Sequence, residues 1–187
     1  MPRHKKISDE QVLDDLYEPI LKFGPDGLTF ALSAQACGLS AATLVQRYGS
    51  RLDLVEAVLL RAWDKLEAER AAADAEEALT PEGAIDFLIR LMPPHDAERN
   101  TANGLLLLRE DIRNRNLRAR GARWGQTLAT ALGRRLSSDR EEAERLGWLM
   151  AAVWQGAHTW WAFNRNGTAE QAIRRVLEEW LTSMHKA

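Results

Sequence analysis

Apolar residues along this chain recur three and four positions apart, and strict apolar–polar alternation persists nowhere over several residues. Glycine and proline fall between these periodic segments and β-branched residues are scarce, so the pattern predicts an all-α protein. The first helix is expected from about Ser8 to Phe23, burying Val12, Leu13, Leu16, Tyr17 and Ile20 on one face. Pro19 falls inside it. A proline within a helix costs roughly 3 kcal/mol, which predicts a kink or irregular last turn before the compact turn Gly24-Pro25-Asp26-Gly27. Two short helices, about Phe30 to Cys37 and Ala41 to Tyr48, follow on either side of Gly38-Leu39-Ser40; at that length both depend on tertiary packing.

A long helix is expected from Ser50 to about Glu77, opening with Leu52, Leu54, Val55, Val58 and Leu59 and ending in an acidic, Ala/Glu-rich connector. Later helices read as Thr80 to Met92, Ala102 to Ile112, Leu117 to Leu136, Ser138 to Asn164 and Thr168 to Lys186, with Pro93-Pro94-His95-Asp96 as a loop. Ser8 with Gln11, Ser138 with Glu141 and Thr168 with Gln171 have capping-box spacing, and Thr80-Pro81 marks another helix start. The last two helices are apolar on more than one face. In Leu146, Leu149, Met150, Val153, Trp154, Ala157 and Trp161, and in Ile173, Val176, Leu177, Trp180, Leu181 and Met184, the stripe serves an internal core or a homodimer face as well.

Composition narrows the function classes. The chain has 187 residues, 45% hydrophobic and 28% charged, enough for one domain or two small ones with a real core. Twenty-five Lys and Arg against 27 Asp and Glu leave a net charge of -2, so no bulk attraction to DNA or anionic lipid is expected. One cysteine, Cys37, excludes an internal disulfide framework and fits a reducing compartment; burial at the turn makes packing its role. Met1 to Glu10 is polar and no run approaches 18 apolar residues, so neither a signal peptide nor a membrane span is expected and the cytoplasm is the default location.

The local signal that carries function is Ala34, Gly38 and Leu44. At this spacing a small residue lets two helices cross closely, a glycine supplies the positive φ of a tight turn, and a leucine wedges between the helices, as a helix-turn-helix requires. Leu39 closes the same small core. Ser40 is placed to cap the following helix, whose first residues would then face base edges in a major groove.

Gly24-Pro25-Asp26-Gly27-Leu28-Thr29-Phe30, then Ala34 to Leu44, then Arg47-Tyr48-Gly49-Ser50-Arg51 make residues 8 to 60 resemble the DNA-binding domain of TetR-family transcriptional repressors. The resemblance implies a helix-turn-helix DNA-binding domain over residues 1–50 and a helical ligand-binding and dimerisation domain over 51–187, with about nine helices in all. It also implies operator DNA, a small-molecule effector and a second copy of the chain as partners. Carried over by position, Thr29 would cap the second helix and touch phosphate, Ser40, Ala41, Ala42, Thr43, Gln46 and Arg47 would face DNA, and Arg51 would bind backbone phosphate. Ala41 stands where the family often has lysine, Val45 where it usually has a phosphate-contacting tyrosine, and Ser33 where it usually buries an aliphatic residue. Gln46 suits adenine, Arg47 suits guanine or phosphate, and Ala42 and Thr43 suit a thymine methyl.

Charge is balanced in this segment. Arg3, Lys5, Lys6, Lys22, Arg47 and Arg51 face Asp9, Glu10, Asp14, Asp15, Glu18 and Asp26. Binding then needs asymmetry, with Lys5 and Lys6 in a basic arm and Arg47 and Arg51 on the DNA side, and the acids across helix one; the arm is otherwise a solvated terminus. The slope of affinity against salt should be modest, because few cations are on offer. Arg109, Arg113, Arg115, Arg118, Arg120 and Arg123 read as a solvated, salt-bridged face, an anionic effector site, or partners of the acidic stretch Asp64 to Glu77.

The chain has seven tryptophans, and those at 124, 148, 154, 160, 161 and 180 fall in its second part. They fill core, or some line an effector pocket, for which Leu107, Trp124, Trp154, His158 and Phe163 are the candidates. The homodimer face is assigned to Leu149, Val153, Trp161, Val176, Leu177, Trp180 and Leu181. His4, His95, His158 and His185 have no metal-ligand spacing, and no nucleophile elbow, phosphate loop or dinucleotide fingerprint occurs, so no metal, no cofactor and no catalytic residue is expected. Glu110 and Asp111 are adjacent and so unsuited to acid–base work together; pairing with arginines is expected. The expected function is a ligand-responsive homodimeric repressor released from its operator by a hydrophobic or aromatic effector. The alternative is a helical ligand-binding or scaffold protein with the same architecture and weak or lost DNA binding.

Overall fold

Hydroxyl and carboxylate side chains set one residue ahead of apolar runs start the helices of this chain. The computed structural model describes residues 7–92 and 97–184, with the backbone alone over 97–103. Within them run α1 (Asp9–Asp15), α2 (Tyr17–Gly27), α3 (Phe30–Cys37), α4 (Ala41–Tyr48), α5 (Arg51–Glu76), α6 (Pro81–Arg90), α7 (Ala97–Arg113), α8 (Arg115–Leu136), α9 (Arg140–Asn164) and α10 (Ala169–Met184), and no strand among the described residues. Ser8 accepts from the Gln11 amide at 3.2 Å, Thr80 from Gly83 at 3.1 Å and Thr168 from Gln171 at 3.2 Å. The α9 cap is Asp139, which takes the Glu142 amide at 2.8 Å, and not Ser138. Ser50 and Asp53 form a reciprocal box at the start of α5, each side chain accepting the other's amide. The Pro93–Asp96 loop lies outside the described residues.

The expected single first helix is two. Pro19 sits in the first turn of α2, where its missing N–H is one of the amides that have no partner in any helix, and α1 has already ended at Asp15, the residue whose carbonyl its ring would strike. Gly24, at φ 72 and ψ 170, interrupts α2 and turns the chain toward Leu28.

Packing divides the chain into two units, residues 1–65 with 103–121, and 66–102 with 122–187. Leu54, Val55, Val58 and Leu59 of α5, Leu107 of α7 and Leu117 of α8 share one core with Val12, Leu16, Ile20, Leu28, Cys37 and Leu44. In the second unit α10 packs on α9 and α6. Arg174 holds Asp86 at 2.8 Å. Helices α8 and α9 meet through glycines: a Cβ on Gly133 would overlap the Ala143 carbonyl, and one on Gly147 the Ala129 carbonyl.

Arg135, 2% exposed, closes the end of α5. Its guanidinium donates to Asp74 Oδ1 at 2.6 Å and to the carbonyls of Asp74, Glu77, Ala78 and Ala131 at 2.8 to 3.1 Å, and it lies 4.9 Å over the Phe87 ring. A buried cation is tolerated only when its donors are met, and here carbonyls at and just past the C-terminus of α5, the Ala131 carbonyl of α8 and the Asp74 carboxylate meet them.

Gly147→Ala should lower stability by about 1–3 kcal/mol, the cost of forcing a methyl into a close helix crossing. Gly156→Ala, on the same helix with nothing within 4 Å of its Cβ, should be neutral or slightly stabilising. Urea denaturation of both variants checks the pair.

Candidate functional site

The helix-turn-helix is built as its steric pattern requires. Gly38 ends α3 in the left-handed region at φ 69 and ψ 21, and its amide donates to Ala34 O at 3.0 Å. Leu44 is fully buried, Leu39 and Ala34 pack against the same core, and Cys37 is buried beside the turn. Thr29 caps α3 by accepting from Leu32 at 3.2 Å. Ser33 is buried as well, and its hydroxyl donates to the Thr29 carbonyl at 2.8 Å, so a polar residue occupies an interior position without an unmet hydrogen bond.

Ser40 caps α4, accepting the Thr43 amide at 3.1 Å, with its Oγ 2.8 Å from Thr43 Oγ1. Ala41, Ala42, Val45 and Gln46 then form the exposed face of the helix, and Thr43 is half-buried at its edge. Ser40, Ala41, Ala42, Thr43 and Gln46 therefore share the start and open side of α4, and Thr29 stands at the start of α3.

The arginines behave differently from expectation. Arg47 turns back across the domain, donating to the Ile7 carbonyl and to Asp9 Oδ1, both at 3.1 Å. Arg51 donates to the Pro25 carbonyl at 2.8 Å and lies 3.8 Å from Asp26. The acids are thus not all across helix one: Asp9 and Asp26 are the partners of the two cations assigned to DNA. An arginine near an unpaired backbone carbonyl gains a charge-assisted bond that free solvent does not offer in fixed geometry, and no sequence spacing announces it. Lys5 and Lys6 lie outside the described residues.

The opposite side of α1 is a second cluster. Asp14 accepts from Arg61 at 2.9 and 3.2 Å and pairs with Lys65 at 2.9 Å; the Arg61 bonds, then Lys65, hold its carboxyl down at about 2. Arg120 reaches Asp64 at 2.7 Å, and Arg113 and Arg109 lie 3.7 and 4.0 Å from Glu110. Asp111 departs from its expected arginine. It accepts from Trp63 Nε1 at 3.0 Å, and burial pushes its carboxyl up.

Of the effector candidates, Leu107 belongs to the core of the first unit and Phe163 is 77% exposed beside Trp160, so neither joins a buried site. Trp124 and Trp154 are buried in the second unit. His158 stands edge-on to Trp154, ring centroids 4.9 Å apart, and its Nδ1 donates to the Trp154 carbonyl at 3.0 Å, leaving Nε2 as an acceptor. Burial lowers its pKa against that bond, favouring the neutral ring. The Trp154 indole N–H is buried with no hydrogen-bond partner. From Leu146 to Asn164, α9 carries no charged residue. Among the described residues no three His, Cys, Asp or Glu are grouped to hold a metal, and no helix is long and apolar enough to cross a membrane.

Of the residues assigned to a homodimer face, Trp161, Leu177 and Leu181 are buried within one chain. Leu149 is 43% exposed, and Val153, Val176 and Trp180 are half-buried. Leu149 and Trp180 line an open groove of about 490 Å³ with Met184, and Val153, Val176 and Trp160 line another of about 300 Å³.

No protein-family model and no curated protein matches the chain. Solved structures do. A TetR transcription regulator from Haloarcula marismortui superposes with a TM-score of 0.73 at 16% identity, over 93% of this chain and 96% of that one. A protein from Saccharomonospora viridis assigned as a transcriptional regulator, solved in complex with choline, superposes at 0.73 with 19% identity, over 92% and 94%. The multidrug binding protein EbrR, complexed with imidazole, gives 0.63 at 17% identity, over 96% of both chains. The chain has the fold of TetR-family regulators.

Two outcomes test the first unit. Gly38→Ala should cost about 1–2 kcal/mol by backbone conformation alone, since nothing lies within 4 Å of the new methyl. Asp14 adds stability that is complete above the ordinary carboxylate value of 3.8 and is lost as pH falls toward about 2, because its folded pKa is depressed. The stability gap between wild type and Asp14→Asn, read by urea denaturation, should therefore be constant at neutral pH and shrink across that acid window.

Proposed function

We propose that the chain is a ligand-responsive, DNA-binding transcriptional regulator, acting as a homodimeric repressor. One observation carries the reading: the left-handed turn at Gly38 and the buried Leu44 present α4 with its Ala41, Ala42, Val45 and Gln46 face open, on a fold otherwise found in transcription regulators. Thr29 and Ser40, at the starts of α3 and α4, are assigned the phosphate contacts that set the register. Two open grooves along α9 and α10, the one lined by Val153, Trp160 and Val176 mostly apolar and the one lined by Leu149 and Trp180 mixed, with Glu142 and Arg145 in its wall, support pairing of two copies through those helices. Two reading helices then have to stand about 34–36 Å apart to enter successive major grooves.

The effector reading rests on Trp124, Trp154 and His158. A buried indole N–H without a partner and a neutral imidazole one turn on suit an uncharged aromatic or apolar molecule with a polar handle. α5 contributes residues to both units, so a ligand that favours one conformation of the second unit has a continuous helix through which to bias the first. The bias equals the difference in its affinity for the two states.

The inward ties of Arg47 and Arg51 favour a rival reading, a regulator-like scaffold with weak DNA binding. A mobility-shift assay with DNA flanking its own gene, at low and moderate salt, separates the two. Retardation with a shallow salt dependence supports the regulator, and none at low salt supports the scaffold. Light scattering should give about twice 21.1 kDa, and a monomer at micromolar concentration overturns the dimer.

A further inference from the structure

We propose that the site on α9 takes a phenol, whose one hydroxyl accepts from Trp154 Nε1 and donates to His158 Nε2; the proposal rests on the effector reading above. Trp154 is 6% exposed, and its indole N–H is buried with no hydrogen-bond partner. Buried donors in folded proteins are nearly always met and are costly when they are not, so this one calls for an acceptor from outside the chain. His158 stands one turn on, half-buried and edge-on to Trp154, with ring centroids 4.9 Å apart. Its Nδ1 is committed to the Trp154 carbonyl at 3.0 Å, which leaves Nε2 as the acceptor of the neutral ring. One turn of one helix thus offers an unmet donor in the interior and an acceptor nearer the surface.

That pair discriminates among guests. A carboxylate accepts from the indole but gives the imidazole nothing, and no Lys or Arg between Leu146 and Asn164 of α9 offsets its charge. An ammonium donates to the imidazole and leaves the indole unmet. An ether or a ketone serves the indole alone. A hydroxyl does both from one atom, and two hydrogen bonds of about 2.8–3.0 Å meeting at that atom suit rings this close. On an aromatic ring the hydroxyl is the stronger donor and, with a pKa of about 10, still uncharged at neutral pH. The ring also brings apolar area to a stretch of helix without charge. Uncovering the Trp154 N–H breaks no hydrogen bond, so admitting the guest displaces packing alone, which the guest's own ring replaces.

Calorimetric titration of the full chain with phenol, anisole and toluene tests the assignment, because the three share a ring and differ in what they offer. Phenol supplies donor and acceptor, anisole the acceptor only, toluene neither. The expected order of affinity is phenol, anisole, toluene. The first gap should be about threefold to tenfold, the worth of one net hydrogen bond, and the second about fivefold or more, the relief of a buried unmet donor. His158→Leu should close the first gap and keep the second, and Trp154→Phe should close the second. Thermal melting checks that both variants fold, and the wild-type order is read without either of them.

Any other order in the wild type, or gaps that survive both substitutions, overturns the phenol assignment and leaves an effector site of other chemistry. No binding by any of the three at millimolar concentration overturns the effector reading at Trp154 and His158, and this proposal with it.

Discussion

An eight-residue helix cannot hold itself together in water, and α4 is eight residues long. Its existence depends on burying Leu44 in a core shared with α1, α2, α3 and the start of α5. That burial needs the chain to reverse between α3 and α4 within a few residues, which the left-handed backbone of Gly38 permits. Once one side of so short a helix is committed to the core, the other side has to face outward. The exposed set Ala41, Ala42, Val45 and Gln46 is thus a consequence of packing before it is a functional surface.

Helix positions and the turn were legible because they rest on local rules. The expected bounds of α3 and α4 coincide with those observed, and the hydroxyl caps at Ser8, Thr29, Ser40, Thr80 and Thr168 make their bonds. The break before α2 was displaced because Pro19 was read as an obstacle within a helix, whereas helices restart so that proline falls in the first turn. The residue to watch was Asp15, four positions upstream. At α9 both Ser138 and Asp139 had capping chemistry, and spacing favoured the wrong one by a residue.

The site's outline was legible, and the partners of its charges within the chain were not. Which residues share the α4 face follows from helical periodicity. Where Arg47 and Arg51 send their guanidiniums depends on two carbonyls, of Ile7 and Pro25, that only tertiary structure brings within 3.1 and 2.8 Å. The same limit explains Asp111, matched to nearby arginines by sequence and to Trp63 by the fold. It explains Leu107 too, whose apolar neighbours in sequence gave no sign that it belongs to the core of the first unit.

The two surfaces named in the proposed function share one property, the near absence of charge. Around Trp154 and His158, α9 offers a neutral imidazole and an indole N–H, and burial excludes a charged guest more strongly than it rewards a neutral one. On α4, the cation has been spent on fixing the helix to α1. A protein that binds DNA with few free cations gives up part of the salt-dependent, sequence-independent attraction that holds most regulators near any duplex. What remains is the difference between matched and mismatched groove contacts, and that difference is set by the shape of a few small side chains. On the proposed reading such a face would bind random DNA weakly, and pairing of two copies would matter, because two modest neutral contacts at a fixed spacing multiply where each alone would be lost.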